Sequence, residues 1–126
     1  MTTAPQRPTR GNLMSATCPS RIVLQHMMNR WGGLVLLALQ DGTMRFGALR
    51  RKVGGISERM LAQTLNDLEG DGLVNRFAHE VVPPHVEYSL TPLGVAAASK
   101  VRDLAEWIET SLPEIGRAWD ERGKRG

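Results

Sequence analysis

The sequence predicts a mainly α-helical fold with one small β-hairpin, an α+β arrangement. Ser57 follows a Gly54-Gly55 break and opens a helical stretch with regularly spaced leucines. Two short strand-like runs then flank a polar, proline-rich segment at residues 79–85, and a long apolar repeat begins after Thr91. Because a helix pair followed by a β-hairpin is a recurrent way to place a helix in the major groove of DNA, we expect a winged helix-turn-helix with N- and C-terminal dimerisation helices.

Composition limits the classes of protein to consider. A chain of 126 residues with 41% hydrophobic residues can form one domain with one core, and its net charge of +3 favours an acidic partner. The longest fully apolar run, residues 34–39, is too short to cross a bilayer. Residues 1–12 are polar and lack the apolar core of a signal peptide, which predicts a disordered arm over residues 1–17. A single cysteine, Cys18, fits a reducing cytoplasm.

The N-terminal third predicts two helices. The first runs from Arg21 to about Met28, with Ser20 as its N-cap. Gly32-Gly33 is expected to interrupt or loosen the backbone. The second helix, Leu34 to Gln40, is apolar almost all round and is therefore expected to be buried until Asp41-Gly42 ends it.

The middle of the chain predicts the helix-turn-helix itself. Met44 to Phe46 is expected to form a brief strand, and Phe46 to Val53 a helix. Ser57 can cap the next helix, and Gly72 is placed to end it in the left-handed conformation. The core-facing residues of that helix are Leu61, Leu65 and Leu68.

The opposite face of that helix is the candidate DNA-reading face. Arginine can bind guanine through two hydrogen bonds, while glutamine and asparagine match adenine. The predicted contacts on this face are Ser57, Arg59, Gln63 and Asn66, and the predicted neighbouring contacts, better suited to phosphates, are Arg45, Arg50, Arg51 and Lys52. An ordinary solvated polar face is the alternative, but five basic residues against one acid, Glu58, between residues 45 and 59 favour DNA.

The hairpin that follows is the predicted wing. Residues 74–78 should pair with residues 86–90, where apolar and polar side chains alternate. Pro83-Pro84 stiffens the loop between them. Arg76 and His85 are the predicted DNA contacts of the wing, and the alternatives are an exposed strand charge and an ordinary loop histidine.

The C-terminal third predicts a dimerisation element. Thr91 can cap a helix with Pro92 at its first position, and apolar residues then recur at spacings of three or four as far as Trp119. This row of apolar side chains along the helix, its apolar seam, exceeds what one small domain can cover, which predicts a homodimer. The alternative is that the seam folds onto the core of its own chain. Pro113 conflicts with an unbroken helix, so that Ser111 is expected to cap a second one. The predicted dimerisation residues are Ile22, Leu104, Ile108, Leu112, Ile115 and Trp119.

Three predicted parts follow: the arm at residues 1–17, a winged DNA-binding domain at 18–91, and dimerisation helices with a basic tail at 92–126. Nothing in the sequence indicates an enzyme or a cofactor, since it has no phosphate-binding glycine loop and no evident nucleophile–base pair. The spacing of His26, His79 and His85 indicates no metal site. Two non-enzymatic alternatives to specific DNA binding remain: a winged helix used for protein docking, and sequence-independent coating of DNA.

The sequence resembles the HxlR-type branch of the MarR-like winged-helix transcription regulators. The resemblance covers about residues 18 to 108, and several motifs in series make it fairly specific. The motifs are CP at 18–19, RW at 30–31, RFGALRR from Arg45, GIS and ML between 55 and 61, LNDLEGDGLV from Leu65, and VPPHVEYSLTPLG from Val82.

This resemblance implies cytoplasmic homodimers that bind palindromic operators, with repression as the default outcome. The DNA-reading positions of the family fall on Ser57, Arg59 and Gln63. His85 stands where the family commonly has arginine, which puts a strong phosphate contact in doubt, and Gly32-Gly33 replaces a bulkier helix start. The implied partners are double-stranded DNA, a second copy, and a small-molecule or oxidant effector.

Cys18 precedes the first helix, as does the cysteine of family members that resemble thiol switches. Sensing requires an accessible sulfur that readily forms a thiolate, which the following helix N-terminus and Arg21 would favour. A disulfide would have to join two subunits, because no second cysteine is present. The alternative is a small, buried apolar residue.

Overall fold

The structure is a computed structural model that describes residues 9–125. Residues 1–8 of the predicted disordered arm, and Gly126, lie outside the described residues. In chain order, the elements are α1 (Ser20–Met28), α2 (Gly32–Leu39), β1 (Met44–Arg45), α3 (Phe46–Lys52), α4 (Glu58–Gly70), β2 (Val74–His79), β3 (His85–Leu90) and α5 (Pro92–Arg125). The three strands form one antiparallel sheet in the order β1-β3-β2. The predicted mainly α fold with a small hairpin is confirmed.

Within residues 9–125, no helix combines the length and the hydropathy that a bilayer span requires.

Residues 12–18 form hydrogen-bonded turns where the sequence predicts a disordered arm. Ser15 N donates to Asn12 O at 3.1 Å, and Arg21 Nε donates to Leu13 O at 2.9 Å. Ser20 is the first helical residue and not the N-cap, because Pro19 occupies that position without a side-chain cap bond. The Ser20 hydroxyl instead donates to Cys18 Sγ at 3.0 Å.

Gly32 begins α2 and is buried, so the expectation that it loosens the backbone is wrong. The chain turns earlier, at Asn29, whose Oδ1 accepts from Gly32 N at 2.8 Å. A Cβ atom added at Gly32 would lie 1.7 Å from His26 O. Glycine is therefore required here because α1 and α2 pass too close for any side chain.

The last turn of α1 also reaches the end of α4. His26 Nδ1 lies 2.6 Å from Asp71 Oδ2, and both side chains are partly buried. Asp71 is the C-cap residue of α4. One histidine thus contacts α2 with its carbonyl group and the end of α4 with its ring.

The core surrounds α2, since this helix contacts α1, α3, α4, β3 and α5. Its buried members are Val35, Leu36, Ala38 and Leu39, and they pack with the buried leucines of α3 and α4. Leu34 remains 46% exposed, so burial of α2 is not complete all round as predicted. Leu34 lines an open groove together with Leu104 and Ile108 of α5, and α5 does not cover this side of α2.

The ends of α4 follow the sequence prediction. Ser57 is the N-cap, and its Oγ accepts from Met60 N at 3.1 Å. Gly72 adopts a φ of +76°, and Leu73 N donates to Leu68 O at 2.9 Å, which closes the helix. Thr64 is also buried, and its hydroxyl group is satisfied because it donates to Met60 O within the helix.

The wing comprises β2, β3 and the loop between them, residues 74–90. The register pairs Val74 with Leu90 at one end and His79 with His85 at the other. Tyr88 is buried and pairs with Met44 of β1, which fastens the wing to the helical body. Val86 and Leu90 also pack against the core, so the apolar residues of β3 lie on its inner face as predicted.

A single helix, α5, runs through Pro113, so the prediction of a second helix capped by Ser111 is wrong. Thr91 Oγ1 accepts from Gly94 N at 2.9 Å, which confirms the predicted cap. Pro113 lacks the N–H that would reach the carbonyl of Glu109, four residues earlier, and its ring crowds that carbonyl. Both residues are exposed, and the helix continues through this local cost.

Candidate nucleic-acid interface

The recognition face of α4 consists of Ser57, Arg59, Gln63 and Asn66, all exposed. Arg59, Gln63 and Asn66 lie opposite the buried leucines because the apolar positions repeat with the helical period, whereas Ser57 is the N-cap at the start of the helix. The structure therefore brings three of the predicted residues together on one side of α4 and places the fourth, Ser57, at its N-terminal end. The N-terminal end of α4 contributes the partial positive charge of its first amides on the same side as Ser57.

Two members of the recognition face are engaged within the helix. Ser57 Oγ accepts the capping bond, so its own hydroxyl hydrogen remains able to donate. Gln63 Nε2 donates to Asp67 Oδ1 at 3.0 Å and would have to release or share that bond to contact adenine. Within the described residues, the side chains of Arg59 and Asn66 make no hydrogen bond and are available to a ligand.

The acid in the first turn of α4, Glu58, is offset by a base. Arg50 Nη1 donates to Glu58 Oε1 at 3.2 Å, and Arg50 Nε donates to Ile56 O at 3.4 Å. Glu58 therefore presents less uncompensated negative charge to a phosphate backbone than the sequence suggests. The pair is solvent-exposed, so its contribution to stability is small.

The remaining basic residues differ in availability. Arg45 and Arg51 are exposed, and neither forms an ion pair within residues 9–125. Lys52 Nζ instead donates to Ala38 O at 3.0 Å and to the Asp41 carboxylate. That hydrogen bond holds the pKa of Asp41 below its usual range. Lys52 is thus the predicted phosphate contact whose charge is already partnered.

The wing presents an uneven set of contacts. Arg76 is exposed on β2, and the loop beyond it presents Val82, which is 99% exposed. His85 is half-buried at the start of β3, with its Nε2 atom 3.5 Å from Glu87 Oε1. It is therefore part of a side-chain cluster and not the free loop histidine that the sequence leaves open.

That wing cluster joins two histidines and one glutamate. His79 Nε2 lies 3.1 Å from Glu87 Oε2, and the rings of His79 and His85 stack with centroids 4.4 Å apart. Contact with His79 is the largest cause that lowers the pKa of Glu87. The sequence spacing of the histidines did not indicate this group, because strand register brings His79 and His85 together. Their positions on either side of a predicted hairpin loop were the available signal.

Cys18 lies beside two hydrogen-bond donors. Its Sγ accepts from Ser20 Oγ at 3.0 Å and from Asn12 N at 3.3 Å. The Ser20 bond, followed by that from Asn12, lowers the pKa of the Cys18 thiol. Because the sulfur is only half-buried, it combines access with a stabilised thiolate.

The predicted dimerisation residues lie on uncovered surface. They are exposed at Ile22, Leu104, Ile108, Leu112 and Trp119, and half-buried at Ile115. The alternative in which the seam of α5 folds onto its own core is realised only near the start of the helix, where Ala98 is buried and Val101 packs against the core.

Comparison with known sequences gives consistent matches. Residues 26–115 match the family model described as HxlR-like helix-turn-helix. The chain is 61% identical over 112 residues to the uncharacterized HTH-type transcriptional regulator YtfH of Escherichia coli strain K12, with 89% of each chain covered.

Comparison with solved structures gives the same fold. A structure of ytfH, named as a transcriptional regulator, from Salmonella typhimurium superposes with a TM-score of 0.85 at 58% identity, covering 88% of this chain and 99% of that one. The redox regulator HypR in its reduced form superposes with a TM-score of 0.71 at 35% identity, covering 79% and 98% respectively. The residues matched by the family model, 26–115, include both the helix-turn-helix and the wing.

Proposed function

The chain belongs to the HxlR-like helix-turn-helix family of transcriptional regulators, and on this premise we propose that it binds a palindromic operator as a homodimer and represses transcription. In this proposal α4 lies in the major groove and the wing contacts the flanking backbone. The observation that carries it is the recognition face: four polar side chains capable of base contacts on an exposed helix, with arginines at its edge.

The proposed base contacts follow from side-chain chemistry. Arg59 has a free guanidinium, which suits the O6 and N7 atoms of guanine. Gln63 and Asn66 suit adenine, and Ser57 suits either a base or a phosphate. Arg45, Arg50 and Arg51 are proposed phosphate contacts, with Arg76 and His85 on the wing and Lys52 as the weakest member of the set.

The homodimer is supported by the uncovered apolar surface. Ile22 on α1 and the residues from Leu104 onwards on α5 belong to two helices that border one groove with α2. A second copy packed on this surface would bury side chains that a single chain leaves in water. Twofold symmetry of such a dimer would present two α4 helices to two half-sites of a palindrome.

The proposal is tested by selecting bound duplexes from a fragmented genomic pool with reduced protein at near-physiological salt. Enrichment of an inverted repeat, with half-sites about one helical turn apart, is expected. Recovery of DNA with no shared motif would indicate coating, and no recovery would indicate a docking module. Either result contradicts the proposed specific regulator.

Substitutions give a matched comparison on the selected site. Arg59→Ala is expected to weaken binding by about 1–3 kcal/mol and to relax preference at one base pair. Lys100→Ala, which removes an exposed cation from α5, is the control. Equal loss in both variants would mean that Arg59 acts only through general charge.

A second candidate function is oxidant sensing through Cys18, favoured by the two donors that lower the pKa of its thiol and by the similarity to the redox regulator HypR. The thiolate would attack one oxygen of a hydroperoxide, so that the O–O bond breaks, sulfur is oxidised to a sulfenic acid, and the reduced peroxide leaves as an alcohol after taking up a proton. The thiolate of a second copy would then form the disulfide and release hydroxide, which becomes water.

Oxidant sensing predicts that a hydroperoxide weakens operator binding by the native protein. The matched variant is Cys18→Ser, which keeps the size of the side chain but cannot be oxidised in this way. An equal response to the peroxide in both proteins would rule out Cys18 as the sensor. Small-molecule control of the same regulator remains compatible with that result.

A further inference from the structure

We propose that the loop end of the wing binds a divalent transition-metal ion such as Zn²⁺ through His79, His85 and Glu87. The strand register places these three residues on one face of the hairpin. His79 and His85 are directly paired across β2 and β3. Glu87 follows His85 by two positions on β3, so its side chain lies on the same face as that of His85.

The distances between the ligand atoms fit a small cation. Metal–ligand bonds of about 2.1 Å in a tetrahedral site place neighbouring donor atoms about 3.4 Å apart. His79 Nε2 lies 3.1 Å from Glu87 Oε2, and His85 Nε2 lies 3.5 Å from Glu87 Oε1. All three donor groups lie within 4.8 Å of one another. Coordination therefore requires adjustments of side chains and no change of the strand pairing.

One of the three donors lacks a satisfactory partner inside the protein. The His79 Nε2 atom is buried and has no hydrogen bond, and its one polar neighbour is Glu87 Oε2 at 3.1 Å. A buried nitrogen without a partner is unfavourable, and a metal ion would use its lone pair. The ring of Phe77, whose centroid lies 4.6 Å from that of His79 at a steep angle, packs against the imidazole.

The donor set selects the class of metal. Two imidazoles and one carboxylate suit Zn²⁺ and neighbouring transition metals, whereas Mg²⁺ and Ca²⁺ prefer oxygen ligands alone. Three protein ligands leave a fourth position for water. The third histidine is not part of the group, because His26 pairs with Asp71 in another region.

Bound metal would change the wing in two ways. It would link the last residue pair of β2 and β3, at the mouth of the loop spanning residues 80–84. It would also add two positive charges beside Glu87, on an element proposed to face phosphates. This consequence for DNA rests on the proposed function, whereas metal binding itself does not.

The test uses the tag-free, full-length, reduced protein without DNA. Zn²⁺ is titrated in competition with a chromogenic chelator, and Co²⁺ absorption reports the geometry of the site. One Zn²⁺ per chain and a tetrahedral Co²⁺ spectrum are expected. His85→Gln and Glu87→Gln should each weaken binding at least about tenfold, since loss of a ligand should exceed loss of an outer-shell partner.

Two control variants separate this site from other ligands. Glu80→Gln removes a carboxylate from the same hairpin but outside the cluster, and Cys18→Ser removes the thiol. Both should bind Zn²⁺ as tightly as the native chain. No binding by the native protein, or unchanged binding in both His85→Gln and Glu87→Gln, would overturn the proposal. Circular dichroism checks that the variants fold. If His85→Gln does not fold, the Zn²⁺ affinity of Glu87→Gln decides whether the site exists. DNA selection remains a separate experiment, so either proposal can fail alone.

Discussion

Two helices of this protein carry similar apolar spacing and differ in what covers it. In α4, Leu61, Leu65 and Leu68 are at most 2% exposed, because α2 and the wing pack against them. In α5, Leu104, Ile108 and Leu112 are between 39% and 48% exposed. Periodicity therefore identifies an apolar face but does not identify its partner. The apolar face of α4 packs within the same chain, and we propose that the apolar face of α5 packs against a second copy of the chain.

The largest expected effect is on the covered helix. Leu65→Ala should lower the free energy of unfolding by about 2–5 kcal/mol, because it leaves a cavity in the core. The measurement is chemical denaturation at two protein concentrations. The loss should be the same at both, since the cavity lies within one chain.

Leu112→Ala is the matched substitution on the uncovered helix. If a second copy covers α5, its effect should grow with protein concentration, because only the dimer loses the contact. An effect of equal size at all concentrations would contradict the distinction between the two helices.

Charge on the uncovered face should break the proposed dimer. Ile108→Glu is expected to raise the dimer dissociation constant about 30-fold, or about 2 kcal/mol, because it places a carboxylate in an apolar contact. Sedimentation measures the change. Arg117→Glu is the control, since nine residues place it two and a half turns later, on the opposite side of α5. Equal dissociation by both variants would locate the interface elsewhere.

Smaller effects are expected at the caps of the same two helices. Ser57→Ala should cost about 1 kcal/mol, since it removes the acceptor for Met60 N. Thr91→Ala should cost more, because Thr91 Oγ1 also donates to Gly72 O at 2.6 Å. Thermal unfolding without DNA compares them. A larger loss in Ser57→Ala would show that the cap of α4 is the more important one.

The smallest effect concerns the thiol that precedes α1. Because its pKa is lowered, Cys18 stays deprotonated to a lower pH than an ordinary cysteine, and its alkylation by iodoacetamide should fall away at that lower pH. Ser20→Ala removes the main donor and should move the midpoint upward. Thr17→Ala, which leaves both donors in place, should not. Identical midpoints in all three proteins would exclude the role of Ser20.

Local signals in the sequence predict much of this structure. Ser57, Gly72 and Thr91 act through bonds to residues within a few positions, and each was placed correctly. Pro113 misled because its penalty, a lost hydrogen bond and a crowded carbonyl, is local, and the 34-residue helix continues through it.

Contacts between distant segments were not predictable in this way. The need for glycine at position 32 comes from His26 on another helix, and the wing cluster comes from strand register. The exposed positions of Arg59, Gln63 and Asn66 were predictable because helical periodicity places them opposite the buried leucines. The hydrogen bond between Lys52 and Asp41 was not predictable, since it joins the end of α3 to the residues that follow α2.

The close passage at Gly32 has a mechanical consequence. The His26 carbonyl group contacts α2 and its ring contacts the end of α4, so a tilt of α1 would disturb both helices. The nine residues of α1 span roughly 13 Å, and Cys18 lies just before its N-terminal end. We therefore expect modification of the Cys18 sulfur to change the hydrogen exchange of the amides around Asp71 first. An unchanged exchange rate there would mean that α1 does not transmit the change.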